Sequence, residues 1–262
     1  MNLQGKIAVV TGGAMGNGKG IVESLLKYGA SVVILDKSTE LTNTVNELGS
    51  KGYKVLGINV DISNKNLLVQ VVDIIKKYYD HIDILVNNAG ICKLETFENM
   101  TDEMRDLHFN INIKGTWDVT KVLLPMLRSS GKASIINLSS VTGPMVADSG
   151  EVAYATTKAG LIGFTKALAR EEVDHGIRVN AILPGYIRTP MVDGMAKETN
   201  ANDPESVING IAKSIPMKRL GDPSELGELA CFLASDASSY ITGTSIVIDG
   251  GSTLPETVTM GV

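Results

Sequence analysis

The sequence predicts an α/β fold in which one doubly wound parallel sheet of about seven strands carries helices on both faces. Three observations predict it. Apolar runs of strand length alternate with helical patterns, the first run leads through a glycine-rich turn into a helix, and 44% of the 262 residues are hydrophobic. No linker or internal repeat divides the chain. We therefore expect a single domain, of the Rossmann type, over residues 1–262.

The elements follow one another in strand and helix order. In the first part we expect strands near residues 6–11, 31–36, 54–60 and 82–87, with helices after the turn at 12–18 and near 39–49 and 64–79. In the second part we expect helices near 102–129 and 152–175, and strands near 133–138, 177–183 and 244–248. The segment 196–205 is polar and weakly patterned, and it predicts a flexible substrate flap at about 190–215 within the domain.

Charge and hydropathy exclude several classes of partner. The chain has 24 basic and 29 acidic residues, a net charge of −5, so it lacks the basic surface expected for binding nucleic acid or an anionic membrane. Its apolar runs are much shorter than the roughly 20 residues that span a bilayer. The first residues lack the apolar region of a signal peptide, which favours a cytoplasmic location.

Cysteine and histidine provide no metal site or disulfide framework. Cys92 and Cys231 are the only cysteines, and we expect both to be packed thiols. His81, His108 and His175 lack metal-ligand spacing and are expected at the surface or in loops without a functional role.

The glycine-rich turn joins the first strand to the first helix. Gly12, Gly16 and Gly18 let the backbone approach a pyrophosphate closely, and the helix amino terminus attracts its charge. A glycine-rich turn can also be no more than a tight turn. Its position after the first strand of an α/β repeat favours the dinucleotide site.

Asp36 ends the second predicted strand, eighteen residues after Gly18. A carboxylate there can bind the adenosine ribose hydroxyls and repel a 2′-phosphate, which favours NAD over NADP. Asp36 could instead cap the strand end, and the neighbouring Lys37 leaves room for a phosphate.

Motifs in a fixed order connect the chain to a known family. They are Thr-Gly-x-x-x-Gly-x-Gly at 11–18, Asn-Asn-Ala-Gly at 87–90, Asn112, Ser139-Ser140, Tyr154-Ala-Thr-Thr-Lys158 and Pro184-Gly185. From about residue 5 to residue 251 the sequence resembles the short-chain dehydrogenase/reductase family. It departs at Asn17, where the family usually has a branched apolar residue, and in the gap between Ser140 and Tyr154, which is one residue longer than usual. The longer gap leaves Ser139 as an alternative, and we choose Ser140 as the second serine of the pair.

The resemblance implies a cofactor-binding set. Asn88 and Gly90 would lie against the adenosine, Ile187 and Thr189 would orient the nicotinamide carboxamide, and Lys158 would hold the nicotinamide ribose. Asp61 would meet the adenine amino group, although a helix-capping carboxylate looks similar. The implied set is Gly12, Gly16, Asn17, Gly18, Asp36, Asp61, Ile62, Asn88, Gly90, Tyr154, Lys158, Ile187 and Thr189.

The same resemblance implies the catalytic residues Asn112, Ser140, Tyr154 and Lys158. Tyr154 and Lys158 stand four apart, so on a helix they project from one face, as a surface Tyr/Lys pair also would. An ammonium beside the phenol favours the phenolate, so Tyr154 can act as acid or base on an alcohol or carbonyl oxygen without a metal. Ser140 would bind that oxygen. Asn112 would anchor a water in a proton path from Lys158, unless it is a structural amide.

The predicted function is hydride transfer between NAD and a secondary alcohol or ketone. The alternative is an NAD-binding redox sensor or scaffold without turnover. Aliphatic, cyclic and sterol-like alcohols and 3-oxo compounds all remain possible, in a pocket walled by 141–151, Tyr186 and the flap. The family resemblance also implies a homotetramer that pairs through the two long helices, whose apolar stripes could otherwise belong to the core.

Overall fold

The computed structural model describes residues 1–254, and residues 255–262, which the sequence prediction included in the domain, lie outside the described part. A seven-stranded parallel sheet forms its centre, in the order β3-β2-β1-β4-β5-β6-β7. This confirms the predicted fold class. The strands are β1 Ile7–Thr11, β2 Ser31–Asp36, β3 Val55–Asn59, β4 Ile84–Asn87, β5 Ala133–Leu138, β6 Ile177–Pro184 and β7 Ser245–Ile248.

Nine α-helices occur among the described residues. They are α1 Gly16–Lys27, α2 Glu40–Ser50, α3 Lys65–Ile75, α4 Asp102–His108, α5 Thr116–Ser129, α6 Val152–Glu172, α7 Pro190–Thr199, α8 Pro204–Ser214 and α9 Pro223–Ala234. Alternate residues of β1 point to opposite faces of the sheet. Val10 packs with α1, α2 and α9 on one face, whereas Val9 packs with α3 and α5 on the other. Burial on both sides explains why these strands are continuous apolar runs.

The predicted helix near 102–129 is not continuous. α4 ends at His108, a π-helical segment Phe109–Gly115 follows, and α5 begins at Thr116. Periodicity of apolar residues cannot distinguish a wider π turn from an α turn, so the prediction missed this change. Asn112 lies in the π-helical segment, which matters for the candidate site.

The weakly patterned stretch 196–205 covers the end of α7 and the start of α8, and most of 190–214 is helical, whereas the substrate flap at about 190–215 stays a prediction. Thr189 and Asp203 accept hydrogen bonds from the backbone N–H groups of Val192 and Ser206, and proline occupies the first helical position of both α7 and α8. These are ordinary start signals for a helix. A capping box between Asp222 and Glu225 starts α9 in the same way, and the sequence prediction did not include α9.

The strand order reverses between β1 and β4. On one side of this point β1 is followed by β2 and β3, and on the other side β4 is followed by β5, β6 and β7. In a doubly wound sheet, a crevice forms outside the carboxyl ends of the strands at such a point. The glycine-rich turn, Asn88 and Ser140 all follow strands that end at this edge. Within residues 1–254, no helix combines the length and apolar character needed to cross a bilayer.

Candidate active site

The glycine-rich turn has a shape that side chains would block. Gly12 and Gly16 have positive φ angles of 66° and 54°, in the left-handed region that favours glycine. A Cβ on Gly18 would lie 1.9 Å from the Gly12 carbonyl oxygen, and one on Gly12 would lie 2.9 Å from the Ala89 Cα. The turn therefore packs against the residues that follow β4 and leaves the amino end of α1 open to a ligand.

Asn88 links the carboxyl ends of β1 and β4 through hydrogen bonds. Its side-chain amide donates to the carbonyl oxygens of Thr11, at 3.1 Å, and Gly12, at 2.9 Å. In return the Thr11 hydroxyl accepts from the backbone N–H groups of Asn88, at 3.0 Å, and Ala89, at 3.1 Å. Sequence reasoning missed Thr11, although a hydroxyl at the last residue of a strand before a glycine turn was the available signal.

A cavity of about 310 Å³ lies along this edge. Ten residues of the sequence-predicted cofactor set line it, namely Gly12, Gly16, Asn17, Gly18, Asp36, Asp61, Ile62, Asn88, Gly90 and Thr189. Ile187 does not line it, because its side chain is buried beside Gly221. Tyr154 and Lys158 also lie outside this lining, although a Cβ on Gly90 would be 3.5 Å from the Lys158 Nζ.

The cavity fits an elongated anionic dinucleotide. The glycine turn allows close backbone approach, since a Cβ on Gly12 or Gly18 would clash, and the α1 amino terminus supplies positive potential. Together these features match a pyrophosphate with hydrogen-bonding groups on either side. The residues present thus fit a nicotinamide dinucleotide.

The far end of the cavity carries two carboxylates and a lysine. Asp36 accepts from the backbone N–H groups of Ala14 and Ser38, both at 2.9 Å, which fixes its carboxylate at the cavity wall. Asp61 forms an ion pair with Lys37 at 3.0 Å and accepts two hydrogen bonds from Ser63. Partial burial acts to raise the pKa of Asp61, but the bonds from Ser63 and Lys37 outweigh it and lower the pKa. Asp61 is thus both a loop cap and a wall of the cavity.

Tyr154 and Lys158 lie one turn apart on α6 and face the same region. The Lys158 side chain is buried, its Nζ donates to the Leu138 carbonyl at the end of β5 at 2.8 Å, and it lies 5.6 Å from the centroid of the Tyr154 ring. Among residues 1–254, no carboxylate forms an ion pair with this ammonium. The ammonium is held by a strand-end carbonyl next to a phenol.

The two serines after β5 have different partners. The Ser139 hydroxyl donates to the Lys158 backbone carbonyl at 2.7 Å, so it is committed to holding α6 against β5. The Ser140 oxygen accepts from the Thr142 N–H at 3.1 Å, and this side chain acts to lower the pKa of Tyr154. Ser140 is therefore the serine whose hydroxyl interacts with the Tyr154 phenol.

Burial is the largest influence on the pKa values of Tyr154 and Lys158. It raises the pKa of Tyr154 to about 12, with the Ser140 hydroxyl acting in the opposite direction, and it lowers the pKa of Lys158 to about 8. An ammonium beside the phenol would lower the pKa of the phenol. Here the ammonium donates to the Leu138 carbonyl and lies 5.6 Å from the ring centroid, and burial is the largest influence on the pKa of Tyr154.

Asn112 makes three hydrogen bonds with its side chain. The amide donates to the Ile91 carbonyl and to the Thr157 hydroxyl, both at 3.0 Å, and its oxygen accepts from the Ile91 N–H at 2.9 Å. Thr157 stands next to Lys158 on α6. Asn112 therefore ties the π-helical segment, the loop after β4 and α6 together, and its side chain has little capacity left for a water.

His108 and Cys92 lie in the loop and helix that follow β4. His108 is buried, contrary to the expectation of a surface position, since its Nε2 accepts from the Lys93 N–H at 3.1 Å. The half-buried Cys92 thiol has a pKa raised to about 11 by burial, and Cys231 is buried, so both are packed thiols as expected. In the described part of the chain, no three His, Cys, Asp or Glu side chains are grouped to hold a metal.

The chain is similar to known oxidoreductases over nearly its whole length. The family model described as "Enoyl-(Acyl carrier protein) reductase" matches residues 12–253. "Oxidoreductase UcpA" of Escherichia coli K12 is 51% identical over 260 residues, which is 99% of each chain. The 3-oxoacyl-[acyl-carrier-protein] reductase FabG of Thermotoga maritima is 38% identical over 252 residues, 96% of this chain and 99% of that protein.

Solved structures of oxidoreductases are also similar to this chain. L-sorbose reductase from Gluconobacter frateurii, complexed with NADPH and L-sorbose, has a TM-score of 0.93 at 32% identity, covering 97% of this chain and 99% of that one. Ligand-free aldohexose dehydrogenase from Thermoplasma acidophilum has a TM-score of 0.90 at 31% identity, covering 99% and 98%.

The glycine turn yields a first prediction. Gly18→Ala places a Cβ against the Gly12 carbonyl, so the turn must open, and we expect NADH affinity to fall by more than roughly tenfold. Gly49→Ala is the matched control, because a Cβ there meets nothing within 4 Å on α2, and it should leave affinity unchanged. NADH fluorescence titration measures both. Equal affinity in the wild type and Gly18→Ala would show that the turn does not receive the dinucleotide.

Proposed function

The chain belongs to the short-chain dehydrogenase/reductase family, and we propose that it is an NAD(H)-dependent enzyme that interconverts a secondary alcohol and a ketone. The observation that carries the proposal is the buried Tyr154 and Lys158 pair, one helical turn apart beside Ser140, at the edge where the glycine turn opens. A nicotinamide dinucleotide bound at that turn supplies or takes up the hydride.

Tyr154 is the proposed acid and base. In the oxidative direction its phenolate takes the alcohol proton, and in reduction its phenol donates that proton to the carbonyl oxygen. A phenol with a pKa of about 12 is a poor base near neutrality, so a positive charge near the hydroxyl is required during oxidation. Lys158 supplies part of that charge, and the oxidised nicotinamide ring supplies the rest.

Ser140 and Asn112 have supporting roles in this proposal. Ser140 donates to the reacting oxygen and holds it near the Tyr154 hydroxyl. Asn112 acts as a positioning residue, since its amide bonds fix the loop that carries Gly90 and the turn of α6 that carries Lys158. A water path from Lys158 would then use backbone groups of the π-helical segment, not the Asn112 side chain.

We propose that NAD is preferred over NADP. Asp36 is fixed at the cavity wall, and Lys37, the cation in the described lining, is neutralised by Asp61. A 2′-phosphate would therefore meet a carboxylate with no free cation beside it. The solved L-sorbose reductase is complexed with NADPH, so the cofactor preference of this chain should be measured with both NADH and NADPH.

The proposed substrate is a small neutral molecule. The expected pocket wall includes Glu151 and Asp148. After burial, which is the largest influence on both tyrosines, Glu151 acts to raise the pKa of Tyr154, and Asp148 and Glu151 act to raise that of Tyr186. An anionic substrate would be repelled by the same charges. The names of similar proteins refer to sugars or to 3-oxoacyl groups, and a neutral polyhydroxylated substrate like those sugars suits these carboxylates better.

We also propose a homotetramer that pairs through α5 and α6. A groove of about 640 Å³ runs between these helices and is lined by the exposed Trp117, by Phe164 at 5.3 Å between ring centroids, and by Leu124 and Leu168. Exposed aromatic side chains in one groove are typical of a subunit interface. A single domain over residues 1–262 and a cytoplasmic location remain predictions.

The second prediction concerns Tyr154. Tyr154→Phe removes the hydroxyl, so turnover should fall by roughly 10²–10⁴ while NADH still binds at the glycine turn. The matched control is Tyr78→Phe, an exposed tyrosine, which should keep full turnover. A panel of neutral alcohols and ketones, followed by NADH absorbance, measures it. Full turnover in Tyr154→Phe would contradict the mechanism, and silence of the wild type alongside tight NAD binding would favour the non-catalytic sensor.

The third prediction concerns cofactor choice. Asp36→Asn keeps an acceptor for the Ala14 N–H but removes the charge, so the kcat/KM ratio of NADPH to NADH should rise by roughly tenfold. Glu228→Gln removes a carboxylate from the exposed pair with Lys27 and should leave this ratio unchanged. A wild-type preference for NADPH would overturn the assignment of Asp36.

The fourth prediction concerns assembly. Trp117→Glu places a charge in the α5/α6 groove and should dissociate the tetramer, because a buried unpaired carboxylate is costly. Tyr240→Glu, at a fully exposed position outside the groove, should leave the mass unchanged. Light scattering after size-exclusion chromatography gives the masses. A monomeric wild type would show that the groove is not an interface.

A further inference from the structure

His108 is a buried histidine that the proposed mechanism does not use. It is the last residue of α4, and 0% of its surface is exposed. The two ring nitrogens have different partners: Nε2 lies 3.1 Å from the Lys93 backbone nitrogen, and Nδ1 lies 2.8 Å from the Met104 carbonyl oxygen. A backbone N–H can only donate, so Nε2 is the acceptor and Nδ1 carries the proton that Met104 receives as a hydrogen bond. The imidazole is therefore a fixed acceptor for the backbone of Lys93.

His108 and Asn112 hold one loop at two points. They stand four residues apart on the helical stretch that runs from α4 into the π-helical segment. The Asn112 side chain bonds with both backbone groups of Ile91, and His108 accepts from the backbone of Lys93. Cys92 lies between these two fixed backbone positions.

This loop connects the dinucleotide cavity to the expected substrate pocket. Residues 88–91 line the cavity, whereas Lys93 lies beyond its described lining. Further along, the Glu95 N–H donates at 3.0 Å to the carbonyl of Gly150, a residue of the expected pocket wall. His108 holds the loop between these two ends. Its contact therefore acts on the half of the loop that leads to the substrate.

The surroundings of Cys92 show what this half of the loop lies near. Burial raises the pKa of the Cys92 thiol to about 11, the charge of Glu151 acts in the same direction, and that of Lys158 acts against it. Burial is also the largest influence on the pKa of Tyr154, and Cys92 is among the smaller ones. The thiol is therefore close to the two residues of α6 that carry the proposed proton transfer. A shift of the backbone at Lys93 would displace this side chain relative to them.

We propose that His108 is a positioning residue whose Nε2 holds the Lys93 backbone and so fixes the substrate half of the loop. Through this contact the Cys92 side chain keeps its place near Tyr154. The inference rests on the proposed function, since it requires turnover at Tyr154. It also separates two neighbouring roles, because Asn112 secures the cofactor half of the loop and His108 secures the substrate half.

The test removes the acceptor and then restores it. His108→Leu offers no acceptor to the Lys93 N–H, so we expect kcat/KM for the alcohol or ketone to fall by roughly tenfold while the NADH Kd changes by less than about twofold. His108→Gln carries an amide oxygen that can replace Nε2, and it should recover most of the lost kcat/KM. Steady-state kinetics and NADH fluorescence titration measure the two values separately.

Leu233→Ala is the matched control for lost stability. Leu233 is buried on α9, which packs on the opposite face of the sheet from α5 and α6. Its truncation should lower the unfolding temperature, because it leaves a cavity in the core, but should leave kcat/KM and NADH affinity unchanged. A loss of kcat/KM in His108→Leu at an unfolding temperature no lower than that of this control is then an effect on the site.

Hydrogen exchange of the ligand-free protein tests the contact itself. Mass spectrometry with electron-transfer fragmentation resolves the Lys93 amide, which should be protected in the wild type and in His108→Gln and should exchange faster in His108→Leu. Free exchange of this amide in the wild type would overturn the inference, as would full kcat/KM in His108→Leu, an equal loss of NADH affinity, or a folded His108→Gln no better than His108→Leu. A wild type that binds no nicotinamide dinucleotide would instead overturn the proposed function.

Discussion

The candidate site depends on a two-way link between β5 and α6. The Lys158 ammonium donates to the Leu138 carbonyl, and the Ser139 hydroxyl donates to the Lys158 carbonyl, at 2.8 and 2.7 Å. Hydrogen bonds to a charged group are the stronger kind, and both lie in the protein interior, where water does not compete. This link fixes the rotation of α6 and thereby the position of Tyr154. Ser139 is followed directly by Ser140, so the two side chains proposed to contact the reacting oxygen, Tyr154 and Ser140, share one anchor.

A second set of hydrogen bonds connects this anchor to the dinucleotide cavity. Asn112 joins Ile91 to Thr157, and Asn88 joins the end of β4 to the glycine turn. Gly90 lies between these two contacts, where a larger residue would press on Asn112 and Lys158. The turn, the loop after β4 and α6 are therefore parts of one hydrogen-bonded frame. Such a frame can hold a hydride donor and a proton donor on fixed, opposite sides of a substrate.

Much of this could be predicted from the sequence. Buried parallel strands are continuous apolar runs, so the strands β1, β2 and β5 were predicted closely. The spacing of Tyr154 and Lys158 correctly predicted that they share one helix, whereas their catalytic roles stay a prediction. Other features depend on contacts between distant residues. The π-helical segment around Asn112, the burial of His108 and the ion pair between Lys37 and Asp61 leave no trace in local periodicity. The helices at 190–214 were missed because short polar helices rely on caps more than on an apolar stripe.

In the proposed mechanism the buried phenol of Tyr154 becomes a usable base because positive charges of Lys158 and the nicotinamide ring lie near it. Burial is the largest of the influences that together raise the pKa of Tyr154 to about 12, and the Ser140 hydroxyl opposes it. Nuclear magnetic resonance of protein labelled with ¹³C at tyrosine Cζ, assigned with Tyr154→Phe, follows this ionisation directly. We predict that saturating NAD lowers the pKa of Tyr154 below the ordinary tyrosine value of about 10, and that Lys158→Met reduces this effect. A pKa that stays near 12 with NAD bound would contradict it.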